Sequence, residues 1–231
     1  MKYKIKIVDS FPKLSSKELK LYKQAYLGIS LKNSIFWEEG FEQILAWASA
    51  NFDSCLIVVA DYLHRHNEQI LHGTSEEQSI KTALELGAKY TEQLLPKLAK
   101  FPNQKFKIVH RKDLLNQEKY QKSADYLNEF YLKNTKFKDS IDKSATHFIS
   151  RQQERGVKFE VTESEGIDLS IKYLLEEMAV FDILVAQNWQ VEIYPGTQLP
   201  VLKEIAKGDF ENISEYLQKR IFIGLNAAKC V

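Results

Sequence analysis

The chain is poor in cysteine, proline and glycine, and each shortage excludes something. Cys55 and Cys230 are the only cysteines among 231 residues, and neither has a metal-type partner spacing. That argues against a disulfide-stapled or zinc-bound scaffold and makes a reducing cytoplasm the expected setting. Five prolines and nine glycines argue against long linkers. No apolar run approaches the ~18 residues of a membrane-spanning helix. The opening Met1-Lys2-Tyr3-Lys4-Ile5-Lys6 alternates and lacks a secretory apolar region. No internal repeat or low-complexity segment occurs.

Missing motifs narrow the chemistry further. There is no Gly-x-Gly-x-x-Gly turn for a dinucleotide and no Gly-x-x-x-x-Gly-Lys-Ser/Thr loop for a nucleotide triphosphate. Neither His-x-Gly-His nor Lys-Met-Ser-Lys-Ser is present, so ATP-dependent amino-acid activation by the class I synthetase route is not expected. His64, His66 and His72 cluster, but without a His-Glu-x-x-His pattern or a cysteine partner, so no metal is expected. No cofactor is called for.

What is present suits one domain spanning residues 1–231. Runs at 2–8, 25–30, 54–60, 105–110, 189–194 and 221–227 read as strands. Helical patterns fall between them at 36–52, from Thr74 or Ser75 to about Lys100, at 117–133, 137–154, 167–187 and 199–207. A loop or single turn is expected at 13–20, and a strand or extended connection at 158–162. The alternation implies an α/β fold, a Rossmann-like α/β/α sandwich with a mostly parallel central sheet.

The net charge of +1 hides an asymmetry. Residues 81–112 carry eight Lys and Arg against Glu85 and Glu92, whereas residues 160–182 carry seven Asp and Glu against Lys172. At 100° per residue Lys81, Lys89, Lys97 and Lys100 fall within about 160° of arc on one helix. Such a face binds a polyanion locally, although a solvated surface is the commoner fate of such charges.

The informative stretch is Tyr26-Leu-Gly28-Ile-Ser30-Leu-Lys-Asn33-Ser34-Ile-Phe36. A strand ends there, a polar turn follows and a helix begins. That places Ser30 at a sheet's carboxyl edge near a helix start, where ligands and developing negative charge are favoured. Asp61 closes the next strand at the same edge. Taken alone, Ser30 or Asn33 is better read as a helix cap. A hydrolase elbow is weakened because Lys32 stands where the second glycine of Gly-x-Ser-x-Gly belongs.

Three segments together resemble the cyclodipeptide synthases. Gly28-Ile29-Ser30-x-x-Asn33-Ser34-x-Phe36 looks like their nucleophile motif, Tyr173-Leu174-x-x-Glu177-x-x-x-Phe181 like their second motif, and Tyr194-Pro195 like the pair that marks one of two subfamilies. Order and spacing agree from Tyr26 to Tyr194. Two departures stand out: Ala179 where many members have proline, and Asn33 combined with Tyr194-Pro195.

The resemblance implies a fold similar to the catalytic domain of class I tyrosyl- and tryptophanyl-tRNA synthetases, with no ATP site. It implies that two aminoacyl-tRNAs are joined into a cyclic dipeptide by ping-pong transfer through esters on Ser30. In that reading Glu177, assisted by Tyr173, pairs with the substrate ammonium, and Tyr194 positions Ser30 or relays a proton. Tyr26, Gly28, Val180 and Phe181 line a first pocket for an apolar amino acid such as leucine, alanine or phenylalanine. Asn33 and Asp61 are further substrate-binding candidates. Lys81, Lys89, Lys97 and Lys100 match the family's tRNA-binding helix. The expected protein is a cytoplasmic monomer without a membrane partner. Two competing classes make different demands. A serine acyltransferase or hydrolase requires a histidine beside Ser30. A non-catalytic tRNA-binding Rossmann module requires no covalent intermediate.

Overall fold

The computed structural model describes residues 3–102 and 105–229; Cys230 lies outside them. The apolar runs become six strands: β1 (Tyr3–Phe11), β2 (Gln24–Ile29), β3 (Ser54–Val59), β4 (Phe106–His110), β5 (Val191–Tyr194) and β6 (Ile221–Lys229). They form one sheet in the order β1-β6-β5-β2-β3-β4. Every neighbouring pair is parallel except β1 with β6. The expected Rossmann-like α/β sandwich is therefore what the chain adopts.

Ten helices are described: α1 (Ser16–Leu19), α2 (Gly40–Asn51), α3 (Arg65–His72), α4 (Glu76–Leu98), α5 (Arg111–Leu114), α6 (Glu118–Lys133), α7 (Thr135–Glu154), α8 (Glu163–Ala186), α9 (Pro200–Lys207) and α10 (Glu215–Gln218). None is long and apolar enough to cross a membrane among the described residues. Alternation along β2 divides its side chains between two cores. Leu27 and Ile29 pack with Phe41, Ile44, Tyr90 and Leu94 of α2 and α4. Tyr26 packs with Leu127, Ile141, Met178 and Phe181 of α6, α7 and α8. Helices on both faces explain why β2, β3 and β5 are almost uninterrupted apolar sequences.

Several boundaries depart from the sequence reading, each for a local reason. Phe36 does not open α2; it closes a short 3-10 turn, Ser34–Phe36, capped by the Asn33 side chain. The Trp37 indole then donates to the Leu31 carbonyl at 2.8 Å, holding the turn against the end of β2. Helix α8 begins four residues before Ile167 because Thr162 and Glu165 form a reciprocal capping box. Residues 158–162 are an irregular connection without a ladder, bent at 160 and 161, and α3, α5 and α10 are helices that the periodicity did not reveal.

The strand order creates the site. From β2 the chain proceeds to β3 and β4 on one side, then returns to place β5 on the other. The carboxyl ends of β2 and β5 therefore flank a topological switch point, where open α/β sheets bind ligands. Ser30 follows β2 and Tyr194 ends β5. Helix α4 approaches the same edge closely at Gly87, where an added Cβ would stand 2.4 Å from the Cβ of Asp61.

Candidate active site

Ser30 is half-buried at the switch point, one residue past β2. The following turn closes through the Asn33 amide, which donates to the Ser30 carbonyl at 3.0 Å. Asn33 then does two things. Its Oδ1 accepts from the Ile35 amide at 3.3 Å, and its Nδ2 donates to the Tyr194 hydroxyl at 3.3 Å. The Asn33 side chain therefore both caps the short 3-10 turn and reaches Tyr194. The Ser30 side chain also lies close enough to influence the Tyr194 phenol.

Across from the strands, Tyr173, Glu177 and Phe181 occupy i, i+4 and i+8 of α8 and share one face. Tyr173 is influenced by both Glu177 and Tyr194, so the three motifs meet in one place. Burial pushes the Glu177 carboxyl up to about 7, against the pull of Arg220 and Arg111. Burial also raises the Tyr194 phenol, outweighing the influence of Asn33 and Ser30. Tyr173 is raised further, by burial and then by Glu177 and Tyr194. Both tyrosines are thus neutral near pH 7, which suits them to donate a hydrogen bond or relay a proton and not to act as bases.

Gly28 lies on the same face of β2 as Tyr26 and Ser30. No atom outside its chain neighbours comes within 4 Å of the position a Cβ would take, so open space lies over this strand. Val180 and Phe181 are close to fully buried on α8. The neighbouring floor is not wholly apolar. The Tyr26 hydroxyl donates to Glu192 Oε2 at 3.3 Å, and Glu192 pairs with buried Arg220. The Arg220 guanidinium lies 4.9 Å from the Phe181 ring centroid. Glu192 and Arg220 escaped the sequence reading. Glu192 between Val191 and Ile193 on a doubly covered strand does signal a buried charge that needs a partner. Nothing in the sequence says that the partner is Arg220.

Three expectations are corrected. Asp61 is at the predicted edge, but its carboxylate is used within the fold. It accepts from the Tyr62 amide at 2.7 Å, the Lys112 amide at 3.2 Å and pairs with His110 Nδ1 at 2.8 Å. With 1% of its surface exposed, it braces the edge and does not face a substrate. Lys100 lies beyond the end of α4 and is paired with Glu42 at 2.6 Å. Lys81 and Lys89 remain on the exposed side of α4, with Lys97 half-buried. Arg111, counted in the basic stretch, is buried: it donates to the Tyr120 hydroxyl at 2.9 Å and to the Glu176 carbonyl at 2.6 Å.

The residue beside Glu177 behaves in the opposite way. Glu176 is bidentate with Arg65, at 2.9 and 2.6 Å, and bonds His66 at 3.1 Å. Burial pushes Glu176 up, but the bonds from His66 and Arg65 outweigh it and hold the carboxyl near 2. This pair ties α3 to α8 directly beneath the site. Its contribution is present above the ordinary value of 4.5 and is lost as pH falls toward about 2. Glu176→Gln is expected to destabilise the fold by roughly 3 kcal/mol, because buried Arg65 loses its bidentate anion and keeps only the longer 3.7 Å contact with exposed Glu76. Urea unfolding at neutral pH measures the loss, and the gap between variant and wild type should narrow in acid.

Comparison with known proteins addresses the family and the fold. The family model described as cyclodipeptide synthase matches residues 10–186. No curated protein matches the sequence. Among solved structures, a cyclodipeptide synthase from Fluoribacter dumoffii superposes with a TM-score of 0.82 at 22% identity, covering 98% of this chain and 100% of that one. One from Mycobacterium tuberculosis, described as showing that these enzymes are related to type I tRNA synthetases, gives 0.71 at 13% identity, covering 94% and 92%. One from Candidatus Glomeribacter gigasporarum, bound to Phe-tRNA, gives 0.64 at 18% identity, covering 90% and 88%. The structural likenesses establish the shared fold; the family match, running through Ser30, Tyr173 and Glu177, establishes kinship. The chain belongs to the cyclodipeptide synthase family.

Proposed function

We propose that this enzyme joins the amino acids of two aminoacyl-tRNAs into a cyclic dipeptide, using Ser30 as the acyl carrier. The observation that carries the reading is the meeting of Ser30, Tyr173, Glu177 and Tyr194 at the switch point of the sheet. An aminoacyl ester is already activated, which fits a chain without nucleotide-binding motifs. Ser30 Oγ attacks the first ester carbonyl; its bond to carbon forms as the bond to the tRNA oxygen breaks. The Ser30 proton leaves through Tyr194 and ends on the departing ribose hydroxyl. Glu177, as a carboxylate, pairs with the α-ammonium, and Tyr173 hydrogen-bonds beside it.

Glu177 takes one proton from the α-ammonium of the aminoacyl enzyme, and the resulting amine attacks the second ester, forming an amide as the bond to the second tRNA's ribose oxygen breaks and that oxygen takes a proton released by the amine. The free amine of the dipeptidyl ester attacks the carbonyl bound to Ser30, closes a six-membered ring and returns the hydroxyl. Tyr194-Pro195 supports placement in the Tyr-Pro subfamily, and the open space over Gly28 supports a pocket for the first side chain.

A serine hydrolase would need a histidine at Ser30. His64, His66 and His110 instead bond Glu68, Glu176 and Asp61, His72 lies 3.7 Å from Glu68, and His147 is exposed on α7. The test is incubation of the purified protein with a panel of charged tRNAs, with mass spectrometry for diketopiperazines and for the aminoacylated protein. Release of free amino acids without a cyclic product would favour a hydrolase. Affinity for tRNA without either product would reduce the protein to a binding module.

The exposed lysines of α4 support delivery of the tRNA backbone to this edge. The double variant Lys81→Glu and Lys89→Glu is expected to raise KM for aminoacyl-tRNA about tenfold or more while sparing kcat. The defect should shrink at low salt, as phosphate contacts require. A titration of initial rate against tRNA at two ionic strengths distinguishes this from loss of fold.

A further inference from the structure

The turn that carries Ser30 is held at successive residues. The Ser30 carbonyl accepts from Asn33, and the Leu31 carbonyl accepts from the Trp37 indole. Between them Lys32 projects outward with about half of its side chain exposed, yet its Nζ stands 3.3 Å from Glu68 Oε1. Glu68 lies on α3 with only 6% of its side chain exposed. A carboxylate so buried needs a cation or a dense set of donors.

Among the described residues, the basic groups within 4 Å of the Glu68 carboxylate are Lys32 from the turn, with His64 and His72 from its own helix. His64 Nε2 is 3.0 Å away, while its Nδ1 meets the Asn67 amide at 3.2 Å. Burial pushes His64 down to about 4, so near pH 7 it hydrogen-bonds Glu68 without cancelling its charge. His72 stands farther off, at 3.7 Å from the other oxygen, and is largely exposed. Lys32 is therefore the permanent cation for Glu68, and the pair joins the nucleophile turn to a helix outside the three family motifs.

We infer that Glu68 is a positioning residue which acts through Lys32 to fix the approach of Ser30 to the ester carbonyl. The inference rests on Ser30 being the acyl carrier. A displacement of about 1 Å at a reacting atom is enough to cost on the order of a hundredfold in rate. Two neighbouring clamps remain when the pair is broken, so a smaller loss follows.

The test uses full-length protein and aminoacyl-tRNA, reading the rate of Ser30 acylation in a single turnover and KM in the steady state. Glu68→Gln and Lys32→Met should each slow acylation about ten- to thirtyfold with KM within about twofold of wild type. The double variant should be no slower than the worse single one, because both break one link. Lys32→Arg, which keeps the cation, should restore most of the rate. If Lys32→Met raises KM and Glu68→Gln leaves acylation unchanged, Lys32 contacts tRNA phosphate and the inference falls. Additive losses, or loss of rate in Lys32→Arg equal to that in Lys32→Met, also overturn it. A wild-type protein that never becomes acylated would instead refute the catalytic reading of Ser30.

Discussion

Ser30→Ala is expected to lower cyclic dipeptide formation by about a thousandfold or more and to abolish the aminoacylated form of the protein. The size follows from what the side chain does. In the mechanism proposed above, each later step, amide formation and ring closure, needs an acyl group held covalently at one position. Without the hydroxyl, two charged tRNAs would have to react directly, with no intermediate anchored between them. The fold should survive, because Ser30 is half-buried, lies outside β2, and its backbone carbonyl still accepts from Asn33. Tyr194→Phe gives the contrast. It removes the hydroxyl that accepts from Asn33 and lies close to Ser30, but leaves the nucleophile and the bond to Asn33 from the Ile35 amide. A loss of about ten- to a hundredfold, with acylation still detectable, is expected. Intact-protein mass spectrometry after a short incubation separates the two variants. Equal acylation in Ser30→Ala and wild type would place the acyl group elsewhere.

The sequence made Ser30 a candidate by its own pattern, and Tyr173, Glu177 and Tyr194 candidates only through the resemblance of their segments to the family's motifs, which rest on local spacing. Ser30 follows an apolar run, Tyr173 and Glu177 are one helical turn apart, and Tyr194 precedes Pro195 at a strand end. Strand identities were legible for the same reason: a buried parallel strand leaves a continuous apolar signature. Tertiary pairing left no such mark. Arg111 looked like one more cation in a basic stretch because position in the chain says nothing about burial. In the fold it packs beneath Glu176 and against the Tyr120 ring, with its guanidinium 4.5 Å from the ring centroid. Asp61 was placed at the right edge, yet only the fold shows His110 arriving on β4 to take up its carboxylate. Helix starts were misjudged where side-chain caps, not apolar periodicity, decide them, as at Thr162 and Asn33.

Glu177→Gln is expected to make the protein more stable above neutral pH while nearly inactivating it. The sign follows from the direction of the shift. An ordinary glutamate has a value of 4.5, and burial pushes the folded Glu177 up to about 7. Below about 4.5 it is neutral folded or unfolded and imposes no penalty. As pH rises from about 4.5 to 7, the unfolded chain ionises first, so stability falls; above about 7 the full penalty is present, roughly 3 kcal/mol at most. Glutamine keeps the shape and removes the charge. Arg220 keeps Glu192, and Arg111 keeps the Glu176 carbonyl and Tyr120, so neither arginine is stranded. The variant should therefore melt several degrees higher than wild type at pH 8, with the difference closing near pH 4. Activity moves the other way. The substrate ammonium loses its charge-assisted partner, and kcat/KM should fall by about a hundredfold or more. In the wild type the same group sets the acidic limb, so kcat/KM should rise with pH and level off above an apparent value of about 7. The limb should vanish in the variant. Thermal melts at pH 4 and 8, paired with rate profiles, test both halves. A glutamine variant no more stable than wild type at pH 8 would mean that the carboxylate is not held against its solvation preference. It would also mean that the site does not store that unfavourable free energy for release when an ammonium group arrives.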